Sequence, residues 1–344
     1  PIVTDGAFEQ EPTEELVEEF LTRVAHQGKL QVEGGASING ELRASQPGAG
    51  INAFAAGINA GSINQGEYAV AVGPGAGYQN QVDYAVAVGL NAGNITQGMG
   101  ATAVGQQAGQ NNQGNNAVAV GVQAGQGDAT DPTTGQGVNA VAVGYAAGQT
   151  EQSTNAVAVG VVAGQTKQGM AAVAVGYNAG NTSQSDYGTA IGHNAGYSSQ
   201  ATNATAVGVT AGQTTQGANA TAVGNGAGQV NQGASSVAIG HLAGQTNQAA
   251  NSIIISSVGA AVNTVNPNSI HLMSAAGRYL HYDGTTWTFA GGPVNGLSGF
   301  RQNNAPVIDA KGLISTLTTL RQATMDETQD IRVSLRSAID ELVA

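Results

Sequence analysis

Apolar residues in the middle of this chain fall in short alternating runs, AVAVG, ATAVG, GTAIG or SVAIG, each returning 16 residues after the last. The central position of every run is alanine, from Ala55 and Ala71 to Ala238, and its neighbours are mostly Val, Ile or Thr, as in Val86 and Val88. Alternation with a period of two marks a β-strand and sends the two sets to opposite faces. Neither set is polar, so both faces are predicted to be covered, and a single thin coil in water cannot cover both. Helix is excluded on cost, because 52 glycines in 344 residues would each forfeit about 1 kcal/mol in a helix interior.

Each run ends on a reference glycine, from Gly57 to Gly240, and the twelve units agree at three further places. A second glycine follows four residues on, from Gly61 to Gly244; alanine precedes it, from Ala60 to Ala243; and a glutamine stands eight residues on, from Gln65 to Gln248. The glycine pair fits a tight turn after the strand, and the Gln-Gly and Gln-Ser steps fit the return. One step is 23 residues rather than 16, which places an insertion at 127–135. A fixed period of this length predicts a solenoid whose units stack only on their neighbours, here about 12–13 coils over residues 53–256.

Energetics add company to this picture. Ordering one 16-residue coil costs roughly 24 kcal/mol at ~1.5 per residue, while two buried Val or Ile side chains return ~1.5–3 each. Stacking between coils and burial against other chains must supply the rest, and stacked Gln or Asn can add hydrogen-bonded ladders. The expected product is a homo-oligomeric rod, roughly 60 Å long at the spacing of β-strands.

The flanks differ in pattern. Residues 1–28 form an acidic arm and a short helix, capped by Thr13, with Leu16, Val17, Phe20, Leu21 and Val24 on one stripe and Gly28 as its stop. Residues 29–52 alternate around glycines and read as short strands leading into the roll. At Ser252–Ser256 the alanine position is taken by Ile254, so the packing is expected to change there. Residues 257–309 are irregular apart from a hairpin signal, Asp283-Gly284 between Tyr279, Tyr282, Trp287 and Phe289. In residues 310–344 the period becomes helical, with Leu313, Leu317 and Leu320, then Ile331, Leu335 and Leu342, forming the seam of a coiled coil. The register slips between them as a stutter produces.

Composition removes several functions. The net charge is −12, and residues 51–250 hold one base, Lys167, so a nucleic-acid partner is not expected. Cysteine is absent, and no run of 18 apolar residues suggests membrane insertion. Asp128 and Asp131 in the insertion supply too few oxygens for a calcium site. His193 and His241 stand three coils apart, roughly 14 Å at strand spacing, too far to share an ion within one chain. Gly73–Gly77 lacks the lysine of a phosphate loop. With no catalytic set, no cofactor or metal and no enzymatic activity are expected. A threonine column for crystal binding, Thr150, Thr166, Thr182, Thr214 and Thr246, is broken by Ile63, Gln79, Asn111 and Val230.

The strings Ser235-Ser236-Val237-Ala238-Ile239-Gly240 and Asn155-Ala156-Val157-Ala158-Val159-Gly160 resemble the head repeat of trimeric autotransporter adhesins. The longer unit, Gly176 to Gln184, is more similar to repeats in fibre-like structural proteins of phages and large algal viruses. The resemblance implies a left-handed parallel β-roll, a homotrimer and a role in sticking to surfaces. The expected function is a virion fibre or spike, resembling a tail fibre, at the virion surface. Its partners would be other virion proteins and a host receptor or glycan. The alternatives are the head of a cellular adhesin at a cell surface, and a spacer fibre without receptor contact. Contact is expected where regularity fails, at Asp128, Asp131 and Thr133 in the insertion and at Tyr279, Tyr282 and Trp287 in the aromatic segment.

Overall fold

The computed structural model describes residues 49–308, apart from 129, 132–133, 264–265, 275–278, 284, 286, 291–299 and 303–304. The N-terminal arm and helix and the coiled-coil seam, Leu313, Leu317, Leu320, Ile331, Leu335 and Leu342, lie outside the described residues. What is described is all-β, a parallel solenoid of about 13 coils with a repeat of ~16 residues.

Each coil carries two short strands. The first is the Val-Ala-Val triplet: Val157–Val159 pairs in parallel with Val141–Val143 on one side and Val173–Val175 on the other, so that Ala142, Ala158 and Ala174 line up. Repetition builds a 16-stranded sheet, parallel from Phe54–Ala56 to Ile270–Met273 and closed by antiparallel Tyr279–Tyr282 and Trp287–Ala290. The second strand, Thr166–Gln168 in this coil, joins sheets of four and six strands on another wall. Only its first and third residues pair, because the middle one is left-handed, as at Asn80 (φ 56°), Lys167 (φ 58°) and Thr215 (φ 55°). That corner breaks the alternation of a regular strand: Lys167 reaches solvent while Gln168 is fully buried.

The interior is narrow. In one coil it is filled by Ala158, Ala163 and Gln168, all at 0% exposure. The glutamines predicted to mark the return are thus core residues, and their column from Gln65 to Gln248 is 0–2% exposed. An alanine-lined core has room for one long side chain per coil, and that side chain must bond whatever polar atoms it meets. Gln168 Nε2 donates to the Val157 carbonyl at 2.8 Å, the Ala172 carbonyl at 3.4 Å and Gln184 Oε1 at 3.1 Å. The same amide-to-amide bond, 2.9–3.2 Å long, runs from Gln81 through Gln97 and Gln113 to Gln136, and from Gln152 without a break to Gln248. A second, half-buried row has the opposite polarity: Gln165 donates to Gln149, and Gln149 to Gln126.

Glycine is required at two places per coil. A Cβ on Gly160 (φ 131°) would stand 2.5 Å from the Gly176 carbonyl oxygen, and one on Gly164 (φ 51°) would stand 2.8 Å from Gln168 Cδ. The other left-handed positions carry side chains, half of them asparagine, the residue that tolerates this region best. Val162 at φ 51° is the one β-branched residue among them without a polar side-chain atom, Thr96, Thr210 and Thr215 being the others that branch at Cβ. The second face of the first strand, expected to be covered, stays open in the single chain, with Val104 36%, Ile191 40% and Ile255 43% exposed.

Two outcomes follow for stability. Gln168→Leu removes its own three bonds and the one accepted from Gln152, so chemical denaturation should show a loss of about 4 kcal/mol at ~1 per bond; Thr166→Leu on the half-buried position beside it should cost under ~0.5. Val162→Asn should raise stability by about 1 kcal/mol by relieving a β-branched residue of a left-handed backbone, read as an upward shift in Tm.

Candidate functional site

The insertion leaves the coil at a defined point. Gly127 N donates to the Gln149 carbonyl at 2.8 Å, as Asn111 N does to Gln126 and Thr150 N to Gln165 one coil away on either side. Gly127 therefore fills the first position of the second strand, and Gln136 fills the third, since Gln113 Nε2 reaches Gln136 Oε1 at 3.1 Å. The extra residues are 128–134, inserted at the outward corner between these positions. The long sheet passes beneath undisturbed, Val118–Val120 pairing with Val141–Val143. The second wall is split there into its four- and six-stranded parts, with Gln136 bridging to Gln152 alone.

Short bonds organise the loop. The Asp128 N–H donates to Thr134 Oγ1 at 2.8 Å, and that hydroxyl donates to the Asp131 carbonyl at 2.8 Å, which draws the base of the loop shut around a buried threonine. Asp128 Oδ1 accepts from the Thr130 N–H and hydroxyl, both at 2.8 Å. These bonds, the backbone one first, hold the exposed Asp128 carboxyl below its ordinary range. Glu151 N donates to the Thr134 carbonyl at 2.7 Å and ties the loop to the next coil. Asp128 thus organises a turn, while Thr133 lies outside the described residues.

Beside the loop runs an open groove of 630 Å³ whose lining includes Asn112, Glu151, Thr154, Lys167 and Ser183. Glu151 and Lys167 occupy the left-handed corner of adjacent coils, 3.9 Å apart, with side chains 42% and 60% exposed. Such a pair adds well under ~1 kcal/mol to stability. Its effect is to put both signs of charge on a wall made mostly of amides and hydroxyls, with Ile63, Ile95 and Val230 among them. Beneath it the interior ladder is interrupted: Gln136 Nε2 turns to the Val118 and Ala140 carbonyls, and Gln152 Oε1 is left buried without a partner. Sequence reasoning found the loop and missed this pair; the signal was available, since Lys167 is the one base between residues 51 and 250.

The aromatic segment forms the predicted hairpin. Tyr282 is half-buried and lies across from Trp287, Leu280 lies across from Phe289, and Tyr279 lies across from Ala290. Its turn is braced by Asp283 Oδ1, which accepts from the Thr285 N–H at 2.8 Å and hydroxyl at 2.7 Å. On the neighbouring strand, burial and then the charge of His281 hold His271 below the ordinary histidine range. The fold does not bring the two candidate regions together. In the long sheet they are ten strands apart, about 48 Å at ~4.8 Å per step.

Among the described residues no group of three or more His, Cys, Asp or Glu is placed to hold a metal ion. Comparison with family models, with curated proteins and with solved structures found no match. What the loop and groove can do chemically is offer hydrogen bonds and two opposite charges to a polar ligand.

Deleting residues 128–134 joins Gly127 to Gly135 and restores a 16-residue step, so Tm is expected to stay within a few degrees of the parent. Because the Asp128 carboxyl is depressed, its stabilisation of the turn is present above the ordinary carboxylate range and is lost as pH falls through the lowered value. Amide exchange at Thr130 should accelerate on acidification relative to core amides, and Asp128→Asn should remove that difference.

Proposed function

We propose that this chain is a structural interaction protein, a fibre or spike of a virus or phage particle built from three copies of a left-handed roll. Its contact with a host surface is concentrated at the coil-five loop and groove. The observation that carries the reading is the outer face of the long sheet. There Val, Ile and Thr form uninterrupted columns on both sides of the buried alanines, without a charged residue, from Val70 and Val72 to Ile253 and Ile255. A stripe of half-exposed aliphatic side chains running the length of a rod is the kind of surface that marks a contact with another protein. Identical chains present identical columns, and three of them around an axis cover one another.

The second wall supports the contact side of the reading. Its strands are mostly Gln, Asn, Ser and Thr, interrupted by Ile63, Ile95 and Val230. A receptor or glycan that recognises one place on the rod finds distinctive chemistry at the Asp128 turn and the Glu151–Lys167 pair. The head of a cellular adhesin shares all of these features and is separated from a virion fibre by where the protein is found on intact particles.

Sedimentation at micromolar concentration should give a species of three times 34.1 kDa; a folded monomer would overturn the trimer. Particles carrying the 128–134 deletion should assemble and adsorb more weakly to host cells. Unchanged adsorption by that variant and by Trp287→Ala would make the chain a spacer fibre.

A further inference from the structure

The interior column of the long sheet changes chemistry at its C-terminal end. Ala238 is followed across the sheet by Ile254, then by His271, His281 and Thr288, each directly opposite the next. Ile254 is fully buried, and the two histidines are half-buried. Their rings lie 3.9 Å apart between centroids at an angle of 35°. Among the described residues no hydrogen-bond partner stands at a ring nitrogen of either, and the two imidazoles sit stacked at a tilt on adjacent antiparallel strands.

We propose that His271 and His281 form a two-histidine site for a divalent first-row cation of nitrogen preference, Zn²⁺, Ni²⁺ or Cu²⁺. Imidazole nitrogens bind such ions at about 2.0–2.1 Å, which puts two ligands on one ion roughly 3 Å apart. The rings are stacked at a tilt of 35°, so one nitrogen of each converges on an ion only when the stack opens by side-chain rotation, which their directly opposed positions on paired strands permit. The strand pair supplies two ligands and no third, since no larger group of ligating side chains exists among the described residues. Water completes the coordination, which makes this a clip of moderate affinity rather than a closed structural centre. Bound there, the ion joins Ile270–Met273 to Tyr279–Tyr282. That junction is where the parallel solenoid meets its antiparallel cap, so occupancy tightens the cap without touching the roll. His193, which stacks on Tyr177 at 5.3 Å, and His241 stand in separate coils of the roll and serve as internal controls.

The test is calorimetric titration of the full chain with Zn²⁺ alone at pH 7.5. One ion per chain is expected, with His271→Ala and His281→Ala each weakening binding on the order of tenfold or more and His241→Ala leaving it unchanged. Absence of binding below millimolar Zn²⁺, or affinity unaffected by either cap variant, overturns the proposal. Should a cap variant fail to fold, the parent decides by NMR. Zn²⁺ must then move the imidazole resonances of His271 and His281 together at one stoichiometric step, and movement of neither, or of one alone, refutes the shared site.

Discussion

A side-chain amide sealed inside a protein has to be hydrogen-bonded, and in this molecule one such amide is sealed in every coil. The residues around it are a column of buried alanines, whose side chains offer it no hydrogen bond. Each Gln Nε2 therefore reaches the carbonyl of its own first strand and, in most coils, the carbonyl of the turn that follows and the next glutamine. A single residue type holds the two walls of the coil together and ties it to its neighbour. The absence of a second glycine Cβ, as at Gly180, makes space for the amide, since a Cβ there would sit 2.6 Å from Gln184 Oε1. Alanine, glycine and glutamine form one device, and changing any of them affects the other two.

That device is bought with backbone strain. Three side-chain-bearing positions per coil stand in the left-handed region, as at Asn178, Ser183 and Tyr187, each costing roughly 1–2 kcal/mol for residues other than glycine and asparagine. Ladders on the outside offset part of the cost: Asn64 bonds Asn80 at 2.9 Å, Asn231 bonds Asn247 at 3.0 Å, and Tyr68 stacks on Tyr84 with rings 5.3 Å apart. The outward corner is also where chain can be added at least expense. The coil-five insertion leaves from that corner, and its cost to the interior is confined to one missing bond between Gln136 and Gln152.

The two ends of the described solenoid are treated differently from its middle. Ile254 replaces alanine where the coil no longer closes with its usual Ala-Gly turn, and it is fully buried at the end of the alanine column. The antiparallel hairpin beyond it ends the parallel stacking, so a further copy of the roll does not meet a ready-made parallel edge there.

Period, strand position, the glycine turns, the seven-residue insertion and the hairpin were all legible in the sequence, because each rests on local rules: alternation, φ preference and spacing. The alanine column was legible as well, though which of its neighbours lay inside was not. Gln168 and Thr166 are two residues apart on one short strand, and a regular strand would give them the same face; the left-handed Lys167 between them separates core from surface. That corner carries no residue signature, since Asn, Thr, Glu, Lys and Ser all occupy it, so glutamine read as the mark of the return when it is the centre of the core. The Glu151–Lys167 groove and the facing histidines were hidden for the same physical reason. They join residues 16 and 10 positions apart whose meeting depends on how coils and strands stack, and only the tertiary structure decides that.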